Sequence, residues 1–138
     1  QCYGARANTG FLIGSEYESL LHPDGTIRVE PTMQVAGHST VYAVGDLTDV
    51  RESKRADAAR QQARVVIANI TAQIEGETPD AHYVPTKEWV ILPLGPNMGA
   101  SQLLDSDGQT RILGAEQTAE IKGTDLMVSV IRSQLNLP

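Results

Sequence analysis

The segment from Val41 to Ile70, VYAVGDLTDVRESKRADAARQQARVVIANI, constrains the fold most: a short apolar run ends in Gly45-Asp46, and a basic stretch then passes into a helical pattern. Val41 to Val44 is brief and rich in β-formers, which predicts a strand buried on both faces. From about Lys54 to Ile74, the residues Ala59, Ala63, Val66, Ile67, Ile70 and Ile74 recur at three- and four-residue steps, which predicts an amphipathic helix. Gly76 and Pro79 stop it.

The chemistry of this junction follows from its order. Gly45 has no Cβ, so backbone can approach another group closely there. Asp46 falls at the carboxyl end of the expected strand, where open α/β sheets bind ligands, and a carboxylate accepts hydrogen bonds from sugar hydroxyls. The helix that follows aims its N-terminal amides back at the same region. Of eleven Lys and Arg residues, Arg51, Lys54, Arg55, Arg60 and Arg64 fall within fourteen positions, so the local potential is positive although the net charge is -6. An anionic or electron-rich group suits such a place. Taken alone, however, a Gly-Asp pair after a strand is more commonly a turn, and a basic helix face is more commonly solvated surface.

The rest of the chain is punctuated by turns. A polar turn from Ala5 to Gly10 precedes the apolar Phe11-Leu12-Ile13, and Asp24-Gly25 is a strong turn signal. Thr26 to Glu30 alternates with period two, as a half-buried strand does, and Pro31 ends or edges it. After a linker from Gly76 to His82, short strands are expected at Trp89 to Leu92, Ser101 to Leu104 and Arg111 to Leu113. Asp107-Gly108 turns the last two into a hairpin, and residues 93–99 form a loop dense in turn residues. A helix is expected from Thr124 to Leu135, with Met127, Val130, Ile131 and Leu135 along one side. These readings divide the chain into residues 1–76 and 77–138, in an α/β to α+β architecture.

Bulk properties narrow the function. At 138 residues a core can be buried without staples, and the single Cys2 excludes an internal disulfide or a cysteine metal cluster. A reducing compartment is the default. The acidic balance argues against general nucleic-acid binding. No apolar run approaches the roughly 18 residues of a membrane-spanning helix, so a cytoplasmic chain, soluble or peripheral to a membrane, is expected. The tail helix has only Lys122 and Arg132 nearby, which favours core packing or a homodimer contact over a membrane surface. His22, His38 and His82 lack metal-ligand spacing and read as exposed loop residues, so no metal site is expected. Ser15 and Ser101 lack a nucleophile-elbow context, and Trp89 reads as the core anchor of the second segment.

A resemblance adds roles that composition does not supply. Asp24 to Val29, followed by Val35-Ala36-Gly37-His38-Ser39-Thr40-Val41-Tyr42-Ala43-Val44-Gly45-Asp46, resembles the second flavin-binding signature of the FAD-dependent pyridine nucleotide-disulfide oxidoreductase superfamily. Within that superfamily the chain is most similar to the apoptosis-inducing-factor-like branch, which includes the ferroptosis-suppressor quinone reductases. The opening Cys2-Tyr3-Gly4 resembles the family's "ATG"-type strand end, and Leu94 to Gln102 is similar to a glycine-rich segment of its C-terminal domain. The resemblance implies the C-terminal return of a Rossmann-like FAD domain plus a small α+β domain. It implies that Asp46, after Gly45, hydrogen-bonds the ribityl chain of FAD. The amides near Lys54, Arg55 and Ala56 would face the pyrimidine side of the flavin ring, where positive charge stabilises its anionic reduced form. Lys54 matches a lysine of the ferroptosis-suppressor-like members, whereas Arg55 is chosen for its charge.

Departures from the family pattern set the scope. Neither G-x-G-x-x-G fingerprint, for the FAD pyrophosphate or for NAD(P)H, occurs in these residues. The chain therefore reads as a C-terminal fragment, expected to bind FAD weakly by itself and to be inactive alone. A redox-active C-x-x-C is also absent, which favours a quinone or similar small molecule over a disulfide as electron acceptor. Cys2 is expected to be a small buried residue. No catalytic residue can be assigned. The alternative reading is a non-catalytic oligomerisation or interaction module.

Overall fold

The computed structural model describes residues 6–85, 88–105 and 107–137. The strand end expected at Cys2-Tyr3-Gly4, and the burial of Cys2, lie outside them. The chain divides into two compact units, Gln1–Thr86 and Lys87–Pro138. The first therefore reaches past Gly76 and includes the segment expected to be a linker. The architecture is mixed α/β, and the sheet found among the described residues is three-stranded and antiparallel.

Outside its helices, the first unit consists of turns and short extended segments joined by single bridges rather than by ladders. Leu21 pairs with Ile27, Ile27 with Thr48, Val29 with Val35, and Gln34 with Tyr42. Gly25, Pro31 and Gly37 interrupt each extended run before a second rung forms, and Pro31 has no N–H to give. The expected strand at residues 26–30 keeps its alternation, with Ile27 buried and Arg28 and Glu30 exposed. The strand expected at residues 41–44 is corrected. Only Ala43 is buried, its neighbours are half-buried, and Gln34–Tyr42 is the bridge there. Ile27, Val35 and Ala43 form the core, packed by Leu12, Tyr17, Leu20, Leu21, Val29, Val41 and Leu47.

Helix α1 spans Ala56–Ile74. Asp57 complements the positive end of the helix in its first turn. At the other end Gly76, at φ +80°, lets Glu77 N–H reach back to Ala72 C=O. The buried face is not the expected one. Ala58, Gln62 and Asn69 are the buried residues of α1, whereas Ile67, Ile70 and Ile74 are 64%, 40% and 81% exposed. The physical reason lies in the extended chain beneath the helix. Lacking ladders, it leaves backbone groups that need partners. Amide side chains supply them. Asn69 donates to Thr32 C=O (3.0 Å) and Ala81 C=O (2.8 Å) and accepts from Ala81 N–H (2.9 Å). Gln73 Nε2 donates to Ser39 C=O at 2.7 Å.

In the second unit, strands β1 (Val90–Pro93), β2 (Gly99–Leu104) and β3 (Thr110–Leu113) form a meander. The Asp107-Gly108 hairpin is as expected, with Gly108 at φ +77°. Helix α2 (Ala115–Thr118) and the π-turn Ala119–Gly123 follow, two elements absent from the sequence-based expectation. Ser101 Oγ and Thr118 Oγ1 meet at 2.8 Å. Gly99 sits so close that a Cβ would lie 2.5 Å from both Leu92 O and Thr118 Cγ2. Gly99→Ala is accordingly expected to lower the melting temperature of this unit strongly, an outcome readable by circular dichroism. The tail helix is shorter than expected. Helix α3 starts at Val128, because Leu126 and Met127 hold φ of 55° and 62°. Asp125 spans that bend by accepting from Met127 N–H (2.8 Å) and Ser129 N–H (3.1 Å). Trp89, expected to anchor the core, is only half-buried.

Candidate functional site

Gly45-Asp46 lies in a 3-10 turn, Gly45–Leu47, directly after the extended residues 41–44. Gly45 takes φ +82°, a left-handed conformation that suits glycine. Both of its backbone groups are held by buried side chains. Its N–H donates to Gln62 Oε1 at 2.6 Å, and its C=O accepts from Thr48 Oγ1 at 2.9 Å. Gln62 and Thr48 are 1% and 0% exposed. Turn and helix are thereby locked together, with Asp46 left exposed.

The lock continues outward. Gln62 Nε2 donates to Glu52 Oε1 at 2.7 Å, and Tyr83 O–H donates to Glu52 Oε2 at 2.7 Å. Burial first, and then the hydrogen bond to the Glu52 carboxylate, push the Tyr83 phenol up to about 12. An unfolded phenol ionises near pH 10. The raised value therefore means that the stabilisation tied to this proton is present below about 10 and is lost as pH rises toward about 12. In a near-ultraviolet pH titration, Tyr83→Phe should remove the last phenolate step. A wild-type protein lacking that late step would contradict the contact.

Asp46 opens onto a cleft of about 500 Å³, lined by Arg6, Ala7, Asn8, Asp24, Thr26, Leu47 and Lys54. Lys54 Nζ donates to Thr48 C=O at 2.7 Å and Val50 C=O at 3.0 Å, which fixes the loop after the turn and holds a cation at the cleft. Across from it, Asp24 Oδ1 accepts from Thr26 N–H (2.9 Å) and Oγ1 (2.7 Å). These two bonds keep the Asp24 carboxyl below its ordinary range.

Four of the five residues singled out from sequence, Gly45, Asp46, Lys54 and Arg55, line the closed junction between turn and helix, with Glu52 and Gln62. Asp46 and Lys54 share the open cleft. Gly45 and Arg55 do not line that cleft. Ala56 begins α1 and lines neither. Lys54 and Arg55 thus stay together, whereas Arg51 belongs to a different cleft, with His22 and Asp49, whose side chains approach to 3.2 Å. His22, expected to be an exposed loop residue, is half-buried, as is His38, whose ring lies 4.8 Å from that of Tyr17. Among the described residues no group of His, Cys, Asp and Glu could hold a metal ion, and no helix is long and apolar enough to cross a membrane.

Sequence reasoning missed Thr48, Glu52, Gln62, Asn69 and Tyr83. A signal existed for two of them. Gln62 and Asn69 lie seven residues apart, two helical turns, and so on one face of the helix.

A glycine-aspartate turn is thus pinned to the long helix that follows it, with a carboxylate and an ammonium in one cleft. Comparison with known proteins gives the class: the chain is homologous, over most of its length, to the C-terminal part of FAD-dependent oxidoreductases. More narrowly, the similarity extends to ferroptosis suppressor protein 1 and to an apoptosis-inducing-factor homolog. It is 36% identical over 102 residues to human ferroptosis suppressor protein 1, covering 74% of this chain and 27% of that protein. It is 32% identical over 126 residues to apoptosis-inducing factor homolog B of Dictyostelium discoideum, covering 90% and 32%. An FAD-dependent oxidoreductase of Flammulina velutipes is 28% identical over 130 residues, covering 94% and 40%. The chain therefore spans well under half the length of these curated relatives. No protein-family model matches it.

Proposed function

We propose that this chain forms one side of the FAD site of a flavoprotein oxidoreductase, and that the whole protein passes electrons from NAD(P)H through FAD to a quinone or similar small acceptor. The observation that carries this reading is the meeting of Asp46 and Lys54 in one cleft beside the Gly45 turn. The donor set fits the cofactor. Asp46 would accept a hydrogen bond from a ribityl hydroxyl, and its exposure leaves the carboxylate available to one. Lys54, steadied by two carbonyls, would set a positive charge beside the electron-accepting edge of the ring. When bound, FAD supplies the two-electron chemistry.

The test uses the whole protein. It should purify yellow, release FAD on denaturation, and oxidise NADH or NADPH in the presence of a soluble quinone. Lys54→Met should lower kcat for the quinone by about tenfold or more, since a charge-assisted interaction is worth about 1.5–3 kcal/mol. A colourless protein that oxidises neither nucleotide would sink the reading and favour a non-catalytic interaction module. Peripheral membrane contact and homodimer formation belong to the same proposal. Vesicle flotation and equilibrium sedimentation of the whole protein decide them.

A further inference from the structure

We infer that Gln62 and Glu52, which do not reach the open cleft, are the positioning residues for Asp46: a hydrogen-bonded relay from Tyr83 through Glu52 and Gln62 to the Gly45 amide sets where its carboxylate stands. The inference rests on the flavin reading for its ligand, but its geometry stands apart from it. Each link has a defined direction. Tyr83 O–H donates to Glu52 Oε2, Gln62 Nε2 donates to Glu52 Oε1, and Gly45 N–H donates to Gln62 Oε1. Glu52 is thus an acceptor at both oxygens, and Gln62 must carry its amide in one orientation only.

Gln62 is 1% exposed, so breaking either of its bonds leaves a buried polar group without compensation from water. Asp46 is the next residue after the relay's last link. A shift of the Gly45 amide therefore moves its carboxylate relative to Lys54 without touching either side chain. The charged groups around the relay are Glu52 itself, Asp57 and Arg55, both of which act on Tyr83, and Asp46 and Lys54 at the same junction.

The chemistry singles out one substitution. In Gln62→Glu the protonated carboxyl reproduces both amide bonds, its O–H donating to Glu52 and its carbonyl accepting from Gly45. Ionised, it sets a second carboxylate where the Gln62 nitrogen now lies 2.7 Å from Glu52, and like charges at that distance repel. The whole protein should therefore bind FAD about tenfold or more weakly than wild type at about pH 8, and within about twofold of wild type at about pH 5.5. Gln62→Met, which keeps length but neither bond, should be weaker by the same factor at both values.

A residue with only a structural role would lower the melting temperature without this acid rescue of affinity. Wild-type affinity of Gln62→Met, or an equal loss for Gln62→Glu at both pH values, overturns the relay. If the wild-type protein binds no FAD, the flavin reading fails on its own. The relay is then judged by amide hydrogen exchange at Gly45. Faster exchange in Gln62→Met supports it, and unchanged exchange overturns it.

Discussion

Asp46→Ala in the whole protein is expected to raise the FAD dissociation constant by about 10- to 100-fold, the range of a lost hydrogen bond to a charged acceptor. The effect should fall on the cofactor and not on the fold. Asp46 is exposed, whereas the turn that carries it is held by Gln62 and Thr48 through the backbone of Gly45. Apoprotein melting temperature should therefore change little, and fluorescence titration with FAD reads the affinity directly. Asp46→Asn should recover part of the binding, because the amide oxygen still accepts, but not the contribution of the charge. An alanine variant that binds FAD as tightly as wild type would show that the cleft beside Lys54 holds something else.

Asn69→Leu is expected to give the largest loss of stability, about 3 kcal/mol, from three half-buried backbone groups that lose their partner. Those groups are Thr32 C=O and the N–H and C=O of Ala81, each now met by one side chain that is 1% exposed. The loss is a large share of the roughly 5–15 kcal/mol that holds a typical domain folded. Chemical denaturation should report it as a lower midpoint. Limited proteolysis should locate it, with residues 77–85 released first, since Asn69 ties that segment to α1. By contrast, Ile67→Ala should cost little, because the side chain is 64% exposed. A ranking in the opposite order would mean that α1 is buried by its apolar stripe after all.

This contrast explains why part of the fold was legible in the sequence and part was not. The helix from Ala56 to Ile74 announced itself through composition, period and its Gly76 stop, because helix formation depends on residues three and four apart. The turn at Asp24-Gly25 and the hairpin at Asp107-Gly108 were equally plain, since a tight turn needs particular dihedrals from two residues. The inward side of the helix was not plain. Apolar periodicity pointed to Ile67, Ile70 and Ile74, but Gln62 and Asn69 went inward because extended chain without ladders needed partners for its backbone. That need arises among residues distant in sequence: Asn69 meets Thr32, and Tyr83 meets Glu52.

The candidate site divides in the same manner. The Gly45-Asp46 pair and the basic start of the helix were visible as residue types in a fixed order, and the family resemblance rested on them. Sequence by itself determined the local elements, the turn chemistry and the kinship with FAD-dependent oxidoreductases, all of which depend on near neighbours or on an ordered pattern. Only the tertiary structure decided which charges share a cleft, sending Lys54 to Asp46 and Arg51 to His22 and Asp49. Only it revealed that a buried glutamine holds the turn from behind. The physical reason is that a hydrogen bond is satisfied in space, and the residue that satisfies it need not be near in the chain.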